Sequence, residues 1–93
     1  MVDVGQDTGA LILEADAARE GLEVEIHPAG DPAARTHVWV LPRVVGRGVV
    51  HAGVFARLSA GEYVVLEPDG TESVRVQVPP GTVTTARWDP PAA

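Results

Sequence analysis

The sequence predicts an all-β domain, a seven-stranded antiparallel β-sandwich, on the strength of three observations. Seven runs of β-forming residues follow one another at 8–14-residue spacing, separated by turns containing Gly or Pro. Two of these runs, Leu22 to Ile26 and Val74 to Val78, alternate strictly between apolar and polar residues. That period of two marks a strand with one buried face and one wet face. The stretch Leu58-Ser59-Ala60-Gly61-Glu62-Tyr63 reads as strand, tight corner, strand. Gly61 is expected at φ > 0 there, with Tyr63 returning to the core.

Each element follows from its local chemistry. Residues 1–9 read as a polar lead-in with turn signals at Gly5 and Gly9, and Ala10 to Glu14 as a short apolar strand. Residues 14–20 have helix propensity over only two turns, too few to stand without tertiary support, so they read as a connection ending at Gly21. Leu22 to Ile26 is closed by Pro28-Ala29-Gly30-Asp31-Pro32. Thr36 to Val45 and Val49 to Leu58 form a hairpin across Gly46-Arg47-Gly48. A two-residue loop at Gly46-Arg47 sets Val44 opposite Val49, Leu41 opposite Ala52, Trp39 opposite Val54 and Val38 opposite Phe55.

One face of that hairpin then carries Val38, Val40, Val44, Val49 and Phe55; the other carries His37, Trp39, Leu41, Val50, Ala52 and Val54. Both faces are largely apolar. A sandwich buries only one face of each sheet, so the second needs a cover. Glu62 to Leu66 and Glu72 to Val78 form a further hairpin across Glu67-Pro68-Asp69-Gly70, a type I turn signal. Pro79-Pro80-Gly81 leads into the last strand, Thr82 to Trp88, and residues 89–93 read as a frayed tail. Apart from residues 14–20, no connection could hold a crossover helix, which disfavours parallel pairing.

Ninety-three residues make one domain, 1–93, with an ordered core over about 10–88. An apolar content of 45% suits a globular chain rather than a disordered one. Cysteine is absent, which excludes disulfides, thiolate metal sites and Cys nucleophiles. Lysine and asparagine are absent too; both use AA-rich codons, which points to a GC-rich bacterial genome. The first residues lack the basic and apolar regions of a signal peptide, and no apolar run approaches the ~20 residues of a membrane helix. The expectation is a cytoplasmic protein.

The net charge of −6 argues against nucleic-acid and anionic-membrane partners. That charge is uneven. Residues 1–31 hold eight carboxylates and one arginine, a sum of −7; residues 62–93 hold five and two, a sum of −3. Between them, residues 32–61 hold Arg35, Arg43, Arg47 and Arg57 with no carboxylate, a sum of +4. Acidic and basic faces are placed to meet, within the fold or between copies.

Candidate chemistry is sparse. His27, His37 and His51 are the only imidazoles, and three from neighbouring strands could ligate a metal. The hairpin register offsets His37 and His51 by five positions, roughly 16 Å along the strand, and puts them on opposite faces. Ser59 and Ser73 are turn-associated and lie in no Gly-x-Ser-x-Gly elbow. Tyr63 and the carboxylates show no paired arrangement for acid–base work. The Asp3 to Gly9 loop lacks calcium-loop spacing, and Gly46-x-Gly48 precedes no helix that could hold a phosphate. The strongest lead is an interface patch of Trp39, Leu41, Arg43, Ala52 and Val54 on the second apolar face. Trp88 reads as core or core edge.

Phe55-x-x-Leu58-x-x-Gly61-x-Tyr63, a following hairpin and Val76-x-Val78-x-x-Gly81-x-Val83 together resemble the carboxypeptidase-regulatory-like and Cna-B-like domains. Phe55, Leu58, Gly61 and Tyr63 match that family's signature, with Ser59 and Ala60 in place of its two prolines; the resemblance spans about residues 10–88. It implies a prealbumin-like (Ig-like) Greek-key sandwich. It also implies a mostly non-catalytic role in adhesion, stalks, or protein or sugar binding. The prealbumin fold does host an enzyme, hydroxyisourate hydrolase, but its C-terminal Tyr-Arg-Gly-Ser ending has no counterpart here. The expected function is a non-catalytic protein-interaction module without a cofactor. Its partner is a protein or a second copy, and the 36–58 hairpin is the self-associating part. The alternatives are a small hydrolase or metal-binding protein using His27, His37 and His51, and a carbohydrate-binding module stacking sugars on Trp39 or Trp88.

Overall fold

A computed structural model describes residues 7–89; the lead-in 1–6 and the tail 90–93 lie outside the described residues. Within them the chain forms eight strands and one 3-10 turn. The strands are β1 (Thr8–Ala15), β2 (Glu23–Pro28), β3 (Thr36–Trp39), β4 (Leu41–Val45), β5 (Gly48–Ser59), β6 (Gly61–Leu66), β7 (Glu72–Val78) and β8 (Val83–Arg87). The turn, Ala17–Arg19, is the single helical turn of the 14–20 connection. Among the described residues no helix is long and apolar enough to cross a membrane.

The strands make two four-stranded sheets, sheet A in the order β4-β5-β1-β8 and sheet B in the order β3-β2-β6-β7. This is an all-β sandwich, and it departs from the sequence expectation in two ways. Thr36 to Val45 is two strands rather than one. β3 pairs with β2 in sheet B, β4 pairs with β5 in sheet A, and the chain crosses between sheets at Val40. Val40 is fully buried at the crossing, where its N–H donates to Leu22 O (2.9 Å) and its carbonyl accepts from Gly21 N–H (2.8 Å). The second departure is a parallel pair, β1 with β8. These terminal strands need no crossover helix because the whole domain is their connection. Gly9, expected in a turn, lies inside β1 and is buried, with no room for a side chain against Pro79 O and Val78.

The turn signals at Gly46, Gly61 and Gly70 hold. Gly46 has φ of 57° at the first position of a two-residue loop, and Arg47 has no positive φ, the signs of a type II′ hairpin turn. Gly70 N–H donates to Glu67 O at 2.8 Å across the Pro68-Asp69 turn. Gly61 has φ of 150°, a region that a side chain disfavours. The corner is fixed beyond it: buried Tyr63 donates its hydroxyl to Ser59 O at 2.7 Å.

The core runs between the sheets. Leu11, Leu13, Phe55, Leu58 and Trp88 come from sheet A or its extension, and Val24, Ile26, Tyr63, Val65, Val76 and Val78 from sheet B. Two features set the spacing of the sheets. A Cβ added at Gly53 would lie 2.9 Å from Val24 Cγ1 and from Val38 Cγ2, so bare backbone lets β5 approach sheet B there. At one end, Trp88 is fully buried and its Nε1–H donates to Leu66 O at 3.1 Å. Arg19 covers its ring at 4.1 Å from the centroid and donates to Glu67 Oε1 at 2.8 Å. Both partners of that ion pair are buried.

Gly53→Ala is therefore expected to lower stability by about 1–3 kcal/mol in urea unfolding, through overpacking against two stiff valines. Without that contact the smaller backbone entropy of alanine would stabilise, so a stabilised variant would contradict the close approach. Arg19→Met should cost about 3–5 kcal/mol, because it strands the Glu67 carboxylate in the interior. The double variant Arg19→Met/Glu67→Leu should recover most of that loss. A double variant as unstable as the single one would show that the lost packing on Trp88, and not the stranded charge, dominates.

Candidate functional site

Alternation along each strand separates the buried faces from the outer ones, and paired residues share a face. On sheet A, Leu11, Leu13, Gly53 and Phe55 point inward. The outer face therefore carries Leu41 and Arg43 from β4, Val50, Ala52 and Val54 from β5, Ile12 and Glu14 from β1, and Val83, Thr85 and Arg87 from β8, with Ala52 buried beneath its neighbours. On sheet B the outer face carries Glu23 and Glu25 from β2, His37 and Trp39 from β3, Glu62 from β6 and Arg75 from β7.

The two faces differ in kind. The four strands of sheet B contain four carboxylates, and Arg35 and Arg75 pair with three of them, Arg35 with Glu25 and Arg75 with both Glu62 and Glu72. This is a charged face suited to water. The four strands of sheet A contain a single carboxylate, Glu14, among aliphatic residues. Its outer face is the apolar surface that the sequence leaves in need of a cover.

Four of the five residues of the expected patch, Leu41, Arg43, Ala52 and Val54, stand together on that face, with Leu41 directly opposite Ala52. Trp39 does not. The crossing at Val40 puts it on β3 opposite Glu23, on the outer face of sheet B, where it is 53% exposed. Ile12, Glu14 and Val83 belong to the apolar face but escape sequence reasoning, since placing them needs the register of β1 with β5 and β8. Beyond the face, the β4–β5 hairpin ends in exposed valines. Val44 (82% exposed) and Val49 lie opposite each other on its inward side, and Val45 lies on its outer side.

The cations repeat this division. Arg19, Arg35, Arg75 and Arg87 each bond a carboxylate. Arg43, Arg47 and Arg57, all on β4–β5 or its turn, form no ion pair among the described residues; Arg43 donates through Nε to Ala52 O at 3.2 Å. Strand β4 is an edge, and its loop makes Val45 and Gly48 a hydrogen-bonded pair. By alternation, Leu41 and Arg43 direct their backbone groups at β5, while Pro42 and Val44 face the open side. Proline has no N–H to offer there, which blunts the edge against strand addition.

The histidines stand apart. His27 is buried and donates Nδ1–H to the Pro28 carbonyl at 2.7 Å; that tautomer follows because a carbonyl can only accept. His37 lies 3.2 Å from Glu23 on sheet B, and His51 lies 2.9 Å from Glu20. Among the described residues no three His, Cys, Asp or Glu side chains group as metal ligands. Trp88 is sealed in the core, so it offers no sugar platform. A cleft of about 370 Å³ opens beside β7 and β8, lined by Ser73, Thr71, Arg87 and three carboxylates, Glu67, Glu72 and Asp89. Each of those carboxylates is bonded to an arginine, and Ser73 has no base on its hydroxyl among the described residues. Burial raises the Tyr63 phenol above its ordinary 10.0, which keeps it a neutral donor.

At the rim of the cleft, the Thr71 hydroxyl and N–H hold the Asp69 carboxyl below its ordinary 3.8, and the hydrogen bond from Arg75 holds Glu72 below 4.5. A depressed folded-state pKa gives stability that is complete above the unfolded value and lost as pH falls through the folded one. The urea midpoint should therefore fall between about pH 6 and pH 3, and fall less steeply in Asp69→Asn. Parallel curves for the two proteins would remove Asp69 from the account. Neither a protein-family model, nor a curated protein, nor a solved structure matches the chain.

Proposed function

We propose that this domain is a non-catalytic, cytoplasmic protein-interaction module that self-associates through residues 36–58, the segment that contains the β4–β5 hairpin. The observation that carries the reading is where apolar surface is left uncovered. Among the described residues seven large apolar side chains are exposed, and four of them, Leu41, Val44, Val45 and Val49, lie on the β4–β5 hairpin. Scattered exposed aliphatics are ordinary; a concentration of them on one hairpin marks a contact surface. The arginines without carboxylate partners lie on the same hairpin and its strands. The absence of cysteine leaves nothing that requires an oxidising compartment.

We also take the sandwich as the prealbumin-like Greek key of the carboxypeptidase-regulatory-like and Cna-B-like domains. Support comes from the Phe55-to-Tyr63 corner, closed by the Tyr63 hydroxyl, and from sheets in which three of the six neighbouring pairs, β5-β1, β1-β8 and β2-β6, join non-consecutive strands. The test of function is sedimentation equilibrium over a wide concentration range. The wild-type chain should associate reversibly. The variant Leu41→Ser/Val44→Ser/Val45→Ser/Val49→Ser should remain monomeric with an unchanged melting temperature, because these side chains are exposed in the single chain. A wild-type chain that stays monomeric up to millimolar concentration would end the self-association reading.

A further inference from the structure

We infer that the second copy docks on the outer face of sheet A, in an isologous dimer whose apolar centre is flanked by Arg43 of each copy against Glu14 of the other. The inference rests on the self-association reading and names the face, the occupant and the closing contact.

The face excludes most other occupants. Strand addition at β4 is disfavoured, because Pro42 removes a donor from its open edge. The outer face of sheet B makes a poor cover, since its ion pairs would have to be desolvated against aliphatic side chains. It would also give a head-to-tail contact that propagates instead of closing. The remaining surface of matching character is the outer face of sheet A itself, packed aliphatic on aliphatic like two layers of a sandwich.

Charge then makes the face self-complementary. Arg43 and Glu14 both stand on it, on β4 and β1 with β5 between them, and neither has an ion-pair partner among the described residues; Arg87, opposite Glu14 on β8, is already paired with Asp16 and Asp89. An isologous contact needs this property: if i meets j across the interface, j meets i. Two such pairs, Arg43 to Glu14 and its symmetry mate, neutralise the one carboxylate of sheet A and one of its free arginines. Four strands about 4.8 Å apart, paired with their neighbours over five to seven residues, present roughly 300–450 Å², which is below the ~800 Å² per partner of a standard interface. The dimer is therefore reversible and dissociates on dilution.

Sedimentation equilibrium on the whole chain tests the arrangement by charge exchange. Glu14→Arg alone and Arg43→Glu alone each set like charges opposite one another and should weaken dimerisation about tenfold or more. The double variant Glu14→Arg/Arg43→Glu should restore it to near the wild-type constant, which a folding defect could not do. Val44→Ser/Val49→Ser, on the other side of the hairpin, should leave it unchanged. A dimer that survives both single charge changes, or one abolished by Val44→Ser/Val49→Ser, overturns this face while leaving self-association standing. A wild-type chain that is monomeric throughout overturns both.

Discussion

The Arg19 guanidinium lies against the Trp88 ring and reaches Glu67 at 2.8 Å, and three separate parts of the chain depend on that cluster. Arg19 sits on the turn that carries the chain from β1 in sheet A to β2 in sheet B. Trp88 ends β8 in sheet A, where its N–H donates to Glu14 O at 2.7 Å, and Glu67 ends β6 in sheet B. The cluster thus joins the two sheets at one end of the sandwich. Its net energy is modest. A desolvated cation–π contact is worth about 2 kcal/mol, while the buried ion pair roughly breaks even against apolar packing. Arg19 Nη1 is also buried without a partner among the described residues, an opposing term of about 1–3 kcal/mol. What the cluster supplies is position. An indole that must donate to Leu66 O, beneath a guanidinium that must meet Glu67, fits in one arrangement.

With the ends fixed, the two outer faces carry unlike chemistry. Sheet B turns carboxylates and their arginines to water, a face that resists association because covering it would desolvate charges. Sheet A turns aliphatic side chains outward with one unpaired carboxylate. The acidic net charge of the chain therefore resides away from sheet A, and this division gives the hairpin's basic character its meaning. A uniformly acidic molecule would repel its copies at every approach. Here repulsion is weakest at the one face whose apolar area gains from being covered.

Much of this was legible because some signals are local. Gly46, Gly61 and Gly70 answer to backbone conformations set within four residues, so the hairpins and the corner could be read directly. The two-residue loop then fixed which hairpin residues share a face, placing Leu41 with Ala52 and Val54. The crossing at Val40 was not legible. Val38-Trp39-Val40-Leu41 is β-forming throughout, and no glycine or proline marks the bend, so tertiary burial of Val40 decides it. The parallel pairing of β1 with β8 joins residues more than seventy apart and leaves no periodic trace. Arg19 and Glu67 lie 48 residues apart, and only the third dimension brings them together over Trp88.

The crossing also shapes what the apolar face can do. Had the chain continued straight, Trp39 would have stood beside Val54 and given sheet A an aromatic anchor of the kind that dominates tight interfaces. By leaving sheet B at Val40, the chain instead strands Trp39 opposite Glu23 and begins sheet A at Leu41. The outer face is left mainly aliphatic, with Arg43, Glu14 and Arg87 among its side chains and no aromatic one. Such a surface binds through area and charge register rather than through one deep pocket. It thus favours reversible contact with a surface of its own kind over tight capture of a small ligand. The step that closes the edge of the core at Val40 is the same step that removes the strongest anchor from the surface outside it.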